Sequence, residues 1–118
     1  PPRGTTRIKE LIAAGVPVAA ASDNIQDPFI PIGSGDMLET ARWTLVAGHL
    51  GASDIATAYD MVTTIPASLM HLGHDYGIHE GARADFLIPS AEDPEDLVVS
   101  GSLNRAVLSA GRLVAGNL

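Results

Sequence analysis

The sequence predicts an α/β fold, and three observations support that class. Hydrophobic residues make up 46% of the chain but aromatic residues only 4%, so the core must consist of Ala, Val, Leu and Ile. That composition is typical of helices packed on a sheet. An amphipathic helical pattern is followed by a short, continuously apolar run, which is half of an α/β repeat. The C-terminal third then changes to short β-prone pieces.

The first helix is predicted to start after Thr5, its expected cap, and to end at Gly15. Within it, apolar residues recur at i, i+3 and i+4 from Ile8 onward. Residues 16–21 have no polar alternation, so they predict a parallel strand that is covered on both faces. The prolines and glycines that follow predict a long loop at the carboxyl end of this strand.

Two further helical regions follow the loop. Asp36 and Glu39 have the spacing of a capping box with Asp in the cap position, which predicts a helix that runs to about Leu50. Ser53 is the expected cap of the next helix, and Pro66 is expected to interrupt or restart it. These elements complete an α/β part that we assign to residues 1–72.

The segment 73–118 is predicted to be rich in β-structure. Ala110-Gly111 stands where a hairpin turn is expected, and the acidic stretch 90–96 predicts a solvated surface loop. The predicted β pieces are residues 85–88, 97–100, 105–109 and 113–114.

Charge and composition exclude several classes of function. The formal net charge of −7 disfavours nucleic acid and anionic membrane surfaces as partners. Cysteine is absent, which excludes a disulfide framework and a thiolate nucleophile. The sequence contains neither a membrane span nor a secretory signal, so we expect a cytoplasmic protein. A beginning at Pro1 without Met leads us to expect a piece of a longer protein.

Asp23 is the first candidate for chemistry. A carboxylate directly after a buried parallel strand stands where α/β proteins build active sites, because strand ends and helix N-termini converge there. The alternative is that Asp23 only shapes a turn, since Asp and Asn are ordinary residues at strand-to-loop junctions. Position alone leaves both interpretations open.

Several segments of the chain resemble bacterial cytosine deaminases and their relatives in the amidohydrolase superfamily. The N-terminal segments are the specific part of the resemblance, and the C-terminal ones are common across the superfamily. The segments are Pro2-Arg3-Gly4-x-Thr6-Arg7-x-Lys9-Glu10-Leu11, Gly15-Val16-x-Val18, Ser22-Asp23-Asn24-Ile25-x-Asp27-Pro28-Phe29-x-Pro31-x-Gly33-x-Gly35-Asp36-Met37-Leu38, Pro66-Ala67, Asp75-Tyr76-Gly77-Ile78, Gly81-x-x-Ala84-Asp85 and Val107-x-x-x-Gly111-x-x-Val114.

The resemblance implies a fold and an activity. Residues 1–72 would be the last strand and helices of a TIM barrel, and residues 73–118 would complete a small β-sandwich. One divalent metal ion, zinc or iron, would contact Asp23, which also handles a proton. The implied reaction is hydrolytic deamination of a cyclic amidine or aminopyrimidine through attack of metal-bound hydroxide.

The resemblance also implies substrate contacts. Phe29 falls where the family places an aromatic side chain over the substrate ring, and the alternative for Phe29 is a loop anchor. Asn24 matches a position that is often Asp, which favours a substrate with a different donor and acceptor pattern from cytosine, such as another aminopyrimidine, an aminotriazine or creatinine. Asp27 is expected to shape the loop through hydrogen bonds to the backbone.

The other metal ligands implied by the resemblance are absent from this sequence. The spacing of His71, His74 and His79 matches no zinc motif, so we expect these to be surface or interdomain histidines, and His49 to be structural. We therefore predict that the isolated chain is inactive and that the protein is a homo-oligomer. The alternatives are an aminotriazine or creatinine-type amidohydrolase and a non-catalytic oligomerising fragment.

Overall fold

The computed structural model describes residues 4–101 and 104–117. Positions 2 and 3, which belong to the resemblance above, lie outside the described residues. The described segments form helices and a three-stranded sheet, and none of these helices has the length and apolarity that crossing a membrane requires. The elements are α1 (Ile8–Ala13), α2 (Met37–Ala47), α3 (Ile55–Asp60), α4 (Thr64–Leu69), β1 (Phe86–Pro89), α5 (Pro94–Ser100), β2 (Arg105–Ser109) and β3 (Arg112–Ala115).

Three helices end in the same hydrogen-bonded turn. After α1, Gly15 N donates to Ile12 O at 2.9 Å and Val16 N donates to Leu11 O at 3.0 Å, with Gly15 in the left-handed region at φ 75°. This is a Schellman motif, which satisfies the last helical carbonyls. Its end at Gly15 is as predicted, but Thr5 is not the cap: α1 begins at Ile8, and no side chain caps it.

Histidines take the left-handed position at the ends of α2 and α4. His49 has a φ of 52° and His71 a φ of 56°, and each makes the bonds that Gly15 makes after α1. Both side chains are exposed. Histidine tolerates this backbone region better than branched residues do. The structural role predicted for His49 is therefore confirmed as a helix-ending role, and α2 ends at Ala47 rather than near Leu50.

The strand predicted at residues 16–21 is not a strand in this structure. Ala20 N donates to Met61 O at 2.8 Å, which joins the segment to the end of α3. Val16 is 45% exposed, so the segment is not covered on both faces either. The prediction was wrong because a strand needs a hydrogen-bonded neighbour, and no strand in residues 4–101 and 104–117 lies beside this segment.

The region after α2 differs from its prediction at the cap. Gly51 N donates to the Asp54 carboxylate at 2.7 Å and opens a 3-10 turn, so Ser53 is not the cap. The helix restarts near Pro66, because α3 ends at Asp60 and a new helix starts at Thr64, two residues before Pro66. Pro66 stands in the first turn of α4, where a missing N–H leaves no helical bond unmade.

The three strands form an antiparallel sheet in the order β1-β2-β3. The predicted turn at Ala110-Gly111 joins β2 to β3, and both residues have positive φ, at 49° and 74°, as a type I′ hairpin requires. Ala110 N donates to the Asp85 carboxylate at 2.7 Å. This backbone bond is the main cause of the lowered pKa of Asp85. Asp85 thus ties the hairpin turn to the start of β1.

Residues 97–100 form a helix instead of the predicted strand. Asp93 accepts a bond from Asp96 N at 2.8 Å as the cap of α5, Pro94 occupies the first turn, and Gly101 ends the helix with φ 60°. The acidic stretch is therefore partly the start of a helix. The strand prediction was wrong because four residues are too few for periodicity to distinguish a buried helical turn from a strand.

One hydrophobic cluster joins the two parts of the chain. Leu38 and Ala41 of α2 pack with Leu97 and Val98 of α5, and all four are at most 6% exposed. Partly buried side chains of α3 surround them. Aliphatic residues dominate this core, as the composition indicated. The core is shared across the predicted boundary between residues 72 and 73, and that boundary stays a prediction.

Replacing Val98 by Ala tests whether α5 carries the core. Val98 is fully buried, so Val98→Ala should lower the free energy of unfolding by about 2 kcal/mol through lost burial and a cavity. Urea denaturation followed by circular dichroism measures this change. Val99→Ala is the matched control, because Val99 is in the same helix and 60% exposed. Equal effects of the two substitutions would contradict the packing of α5.

Candidate active site

The loop of residues 22–35, here called the 22–35 loop, is folded onto itself. Gln26 N donates to Ile32 O at 3.3 Å, and the Gln26 side chain donates to Gly33 O at 2.9 Å. Asp27 N donates to Ile30 O at 3.0 Å. These bonds satisfy backbone groups that prolines prevent from entering a regular element. The loop therefore has a defined shape of its own.

Asp27 organises the tip of this loop. One carboxylate oxygen accepts bonds from Phe29 N at 2.8 Å and Ile30 N at 2.9 Å, and the other accepts a bond from the Asn24 side-chain amide. The bond from Ile30 N is the largest cause of the lowered pKa of Asp27, and the bonds from Phe29 N and Asn24 add to it against some desolvation. The prediction that Asp27 shapes the loop is confirmed.

Asp23 differs from Asp27 in its surroundings. Its side chain is exposed, and its backbone is in the left-handed region at φ 56°, which Asp tolerates better than most residues. Among the described residues, no hydrogen bond or ion pair engages the Asp23 carboxylate. Of the two acidic residues in the loop, Asp23 is thus the one whose carboxylate is available for chemistry.

Asn24 and Phe29 take different places in the loop. Asn24 is half-buried, and its amide donates to Asp27. Phe29 lies at the loop tip and is 71% exposed. The structure therefore brings Asn24 next to the loop's internal hydrogen bonds and leaves the ring of Phe29 largely in solvent. Substrate contacts by Asn24 and Phe29 stay predictions.

The C-terminal end of the loop is attached to the first turn of α2. The Glu39 carboxylate accepts bonds from Ser34 N at 3.1 Å and from the Ser34 hydroxyl, and these two bonds are the largest causes of the lowered pKa of Glu39. Asp36 N in turn donates to Ser34 Oγ at 3.2 Å. Asp36 is the predicted cap, but the predicted capping box forms only in part, because Glu39 reaches Ser34 instead of Asp36 N.

Asp36 also pairs with a residue of the sheet. Its Oδ1 accepts a bond from Leu38 N at 3.0 Å, and its Oδ2 pairs with Arg105 Nη2 at 2.5 Å. Burial of Asp36 opposes ionisation, but the bonds from Arg105 and Leu38 N and the charge of Arg105 outweigh it and lower the pKa of the carboxyl. Arg105 had no role in the sequence analysis.

A cleft of about 420 Å³ opens between the 22–35 loop and α2. Its lining is mostly apolar and includes Ile8, Ile25, Ile30 and Trp43. Of the predicted site residues only Asn24 lines it, whereas Asp23 and Phe29 are not part of its wall. The Asp23 carboxylate is therefore not part of the cleft wall, although its neighbours Ser22 and Asn24 are.

The described residues do not form a complete metal site. No three His, Cys, Asp or Glu side chains within residues 4–101 and 104–117 are grouped so that they could hold an ion. His74 and His79 contact each other edge to face at 5.5 Å between ring centroids, and both are exposed. Asp23 offers one carboxylate, which is a suitable oxygen donor for a divalent ion but only one ligand.

A sequence profile described as the amidohydrolase family matches residues 1–115 of the chain. The chain belongs to the amidohydrolase family. This confirms the resemblance that the sequence motifs indicated.

The amidohydrolase chain is similar to proteins named for three related reactions. It is 37% identical over 116 residues to a pterin deaminase of Rhizobium rhizogenes (strain K84), covering 98% of this chain and 26% of that protein. It is 29% identical over 115 residues to the N-isopropylammelide isopropyl amidohydrolase of Pseudomonas sp. (strain ADP), covering 93% and 28%.

A solved structure has the same fold over nearly the whole chain. The 5-methylcytosine deaminase of Klebsiella pneumoniae, liganded with 5-fluorocytosine, is 33% identical with a TM-score of 0.84, covering 97% of this chain and 28% of that one. The amidohydrolase chain thus spans about a quarter of the length of the relatives it matches. Its α/β content is that of an amidohydrolase.

The lowered pKa of Asp27 predicts how the loop of this amidohydrolase chain responds to acid. The bonds to Phe29 N and Ile30 N need the ionised carboxylate, so they are complete above the ordinary aspartate pKa and are lost as the pH falls through the lower folded-state pKa. The amide nitrogen shifts of Phe29 and Ile30, followed by NMR, should change together at a pH below the ordinary aspartate range. Asp27→Ala should abolish this transition, and a midpoint at or above that range would contradict the assignment.

Proposed function

We propose that this chain is the C-terminal part of a hydrolytic deaminase that acts on a small nitrogen heterocycle, either a cyclic amidine or an aminopyrimidine. Two similar proteins are named as deaminases, of pterin and of 5-methylcytosine, which supports this substrate class. We further propose that residues 1–72 supply the last strand and helices of a TIM barrel and that residues 73–118 complete a β-sandwich.

The observation that carries the proposal is that hydrogen bonds engage the carboxylate of Asp27 but not that of Asp23. Three hydrogen bonds engage Asp27 and hold the tip of the loop. Asp23, four residues earlier, is exposed and is engaged by no hydrogen bond or ion pair among the described residues. Hydrogen bonds within the loop fix its shape, and the Asp23 carboxylate makes none of them. Such a carboxylate is suited to accept and release a proton.

We propose one divalent ion, zinc or iron, as the cofactor of the complete enzyme. Its chemistry, when bound, is to polarise water and substrate. Asp23 fits as one oxygen ligand, but a catalytic site needs about three protein ligands, and the described residues do not provide them. The remaining ligands would have to come from protein outside this chain.

In the proposed reaction Asp23 handles the proton. A water molecule adds to the amidine carbon of the ring, and Asp23 accepts the proton that the water releases. Asp23 then donates this proton to the exocyclic nitrogen, the carbon–nitrogen bond breaks, and ammonia leaves. The ring retains the water oxygen as a carbonyl, and the second proton of the water moves to the ring nitrogen beside that carbon. We propose that Asn24 and Phe29 contact the substrate, Asn24 through its amide and Phe29 through stacking on the ring.

An aminotriazine is the second candidate substrate. The 29% identity to the N-isopropylammelide isopropyl amidohydrolase favours it, and the same Asp23 would serve the release of an alkylamine. Creatinine is a further cyclic guanidine of this class. Assays of the full-length enzyme with pterin, 5-methylcytosine, creatinine and N-isopropylammelide, compared by kcat/KM, separate these candidates.

Asp23→Asn tests the proposed proton transfer. In the full-length enzyme this change should lower kcat by about 10²- to 10⁴-fold, because the amide cannot accept the proton. The free energy of unfolding of the isolated 118-residue chain should not change, since no bond within the described residues engages the Asp23 carboxylate. Asp75→Asn, at an exposed aspartate in a 3-10 turn, is the matched control and should retain activity. Normal turnover by the Asp23 variant would contradict the role of Asp23.

The isolated 118-residue chain should have no deaminase activity. One exposed carboxylate cannot hold a catalytic ion, so adding zinc or ferrous iron should release neither ammonia from pterin, 5-methylcytosine or creatinine nor isopropylamine from N-isopropylammelide. Clear turnover by the isolated chain would show that the site is complete without further protein.

The third possibility is a non-catalytic, oligomerising fragment. The exposed apolar side chains of Trp43 (55%) and Val46 (71%) on α2 favour association. Sedimentation of the chain at several concentrations measures whether it forms a homo-oligomer.

A further inference from the structure

We infer that Arg105 is a positioning residue for the 22–35 loop and that it acts through Asp36. Arg105 begins β2, whereas Asp36 directly follows the loop and caps α2. Their side chains join two regions that are 69 residues apart in the sequence. The consequence for catalysis rests on the proposed function, because it concerns the orientation of the Asp23 carboxylate.

The contact between the two side chains is short and shielded. Arg105 Nη2 lies 2.5 Å from Asp36 Oδ2, and each side chain is 21% exposed. The other three ion pairs among the described residues involve side chains that are more exposed, for example 79% and 57% for Arg7 and Glu10. A pair that is mostly removed from water is screened less by solvent and salt than a surface pair.

Both oxygens of Asp36 are used at once. While Oδ2 binds Arg105, Oδ1 accepts the bond from Leu38 N that caps α2. The guanidinium therefore holds the carboxylate in the orientation that capping needs. Loss of Arg105 would leave Asp36 its capping partner but remove the group that fixes its rotation.

A continuous set of bonds connects this pair to the loop. Asp36 N donates to Ser34 Oγ, and Ser34 donates to Glu39 through both its hydroxyl and its backbone N–H. Ser34 is the next-to-last residue of the 22–35 loop. A rotation of the Asp36 carboxylate or a shift of the first turn of α2 would thus move the point where the loop is attached.

The sheet gives Arg105 a firm base. Arg105 pairs with Pro89 of β1, and the next residue, Ala106, is 1% exposed. The arginine backbone is therefore held by β-sheet pairing and burial, while the loop depends on a few side-chain bonds. In this pair the sheet positions the loop, and the loop does not position the sheet.

Amide hydrogen exchange separates this role from a general contribution to stability. Arg105→Met should raise the exchange rates of the Ser34 and Asp36 amides by about tenfold, because their bonds open locally. Amides in β2 and β3 should keep their rates. Arg105→Lys should restore part of the protection, and Arg112→Met, at an exposed arginine of β3, is the matched control and should change neither set.

Asp36→Asn isolates the ion pair from the cap. Asn keeps an oxygen for Leu38 N and is a good capping residue, but it loses the charge that Arg105 binds. If the pair is the cause, Asp36→Asn and Arg105→Met should raise loop exchange by similar factors, and the double variant should add little. Exchange that rises equally in loop and sheet, or does not rise in any variant, would overturn the inference.

The kinetic experiment uses the full-length enzyme with its best substrate. Arg105→Met should lower kcat by about 10- to 100-fold, because Asp23 is misaligned, and should also raise KM, because Asn24 and Phe29 belong to the same loop. Arg105→Lys should recover part of kcat. Unchanged kcat despite faster loop exchange would overturn the catalytic consequence of Arg105. An unmodified full-length enzyme without activity would instead count against the proposed function, because the exchange experiment needs no turnover.

Discussion

The packing of α5 against α2 and α3 is the contact on which the rest of the structure depends. Leu97 and Val98 of α5 meet Leu38 and Ala41 of α2, and this buried cluster joins residues that are about sixty positions apart. With α5 in place, the sheet is held near the start of α2, and Arg105 can reach Asp36. Without that packing, few contacts would hold the helices and the sheet in a fixed relative position.

The 22–35 loop is stable for a different reason, because its order comes from polar groups. Asp27 holds the tip, Gln26 closes the base, and Ser34 attaches the end of the loop to α2. These bonds engage Asp27 and leave the Asp23 carboxylate exposed. The loop thus combines a defined shape with one carboxylate that is still available, as the proposed role of Asp23 requires.

Sequence reasoning succeeded where the signal was local. Asp36 as a cap, Asp27 as a loop residue and Ala110-Gly111 as a hairpin turn all depend on neighbours within a few positions, and all three are present. It failed at residues 16–21 and 97–100, where the outcome depends on which element lies alongside. The first segment has no strand beside it among the described residues, and the second packs as a helix between α2 and α3.

The sequence by itself determined the family, the turn residues and Asp23 as the candidate residue, because motifs and caps depend on residues that are close together in the chain. Only the tertiary structure decided that Arg105 meets Asp36 and that α5 completes the core. It also showed a cleft of about 420 Å³ whose wall includes Asn24 but not Asp23. Contacts between distant residues follow from packing in three dimensions, which no local pattern encodes.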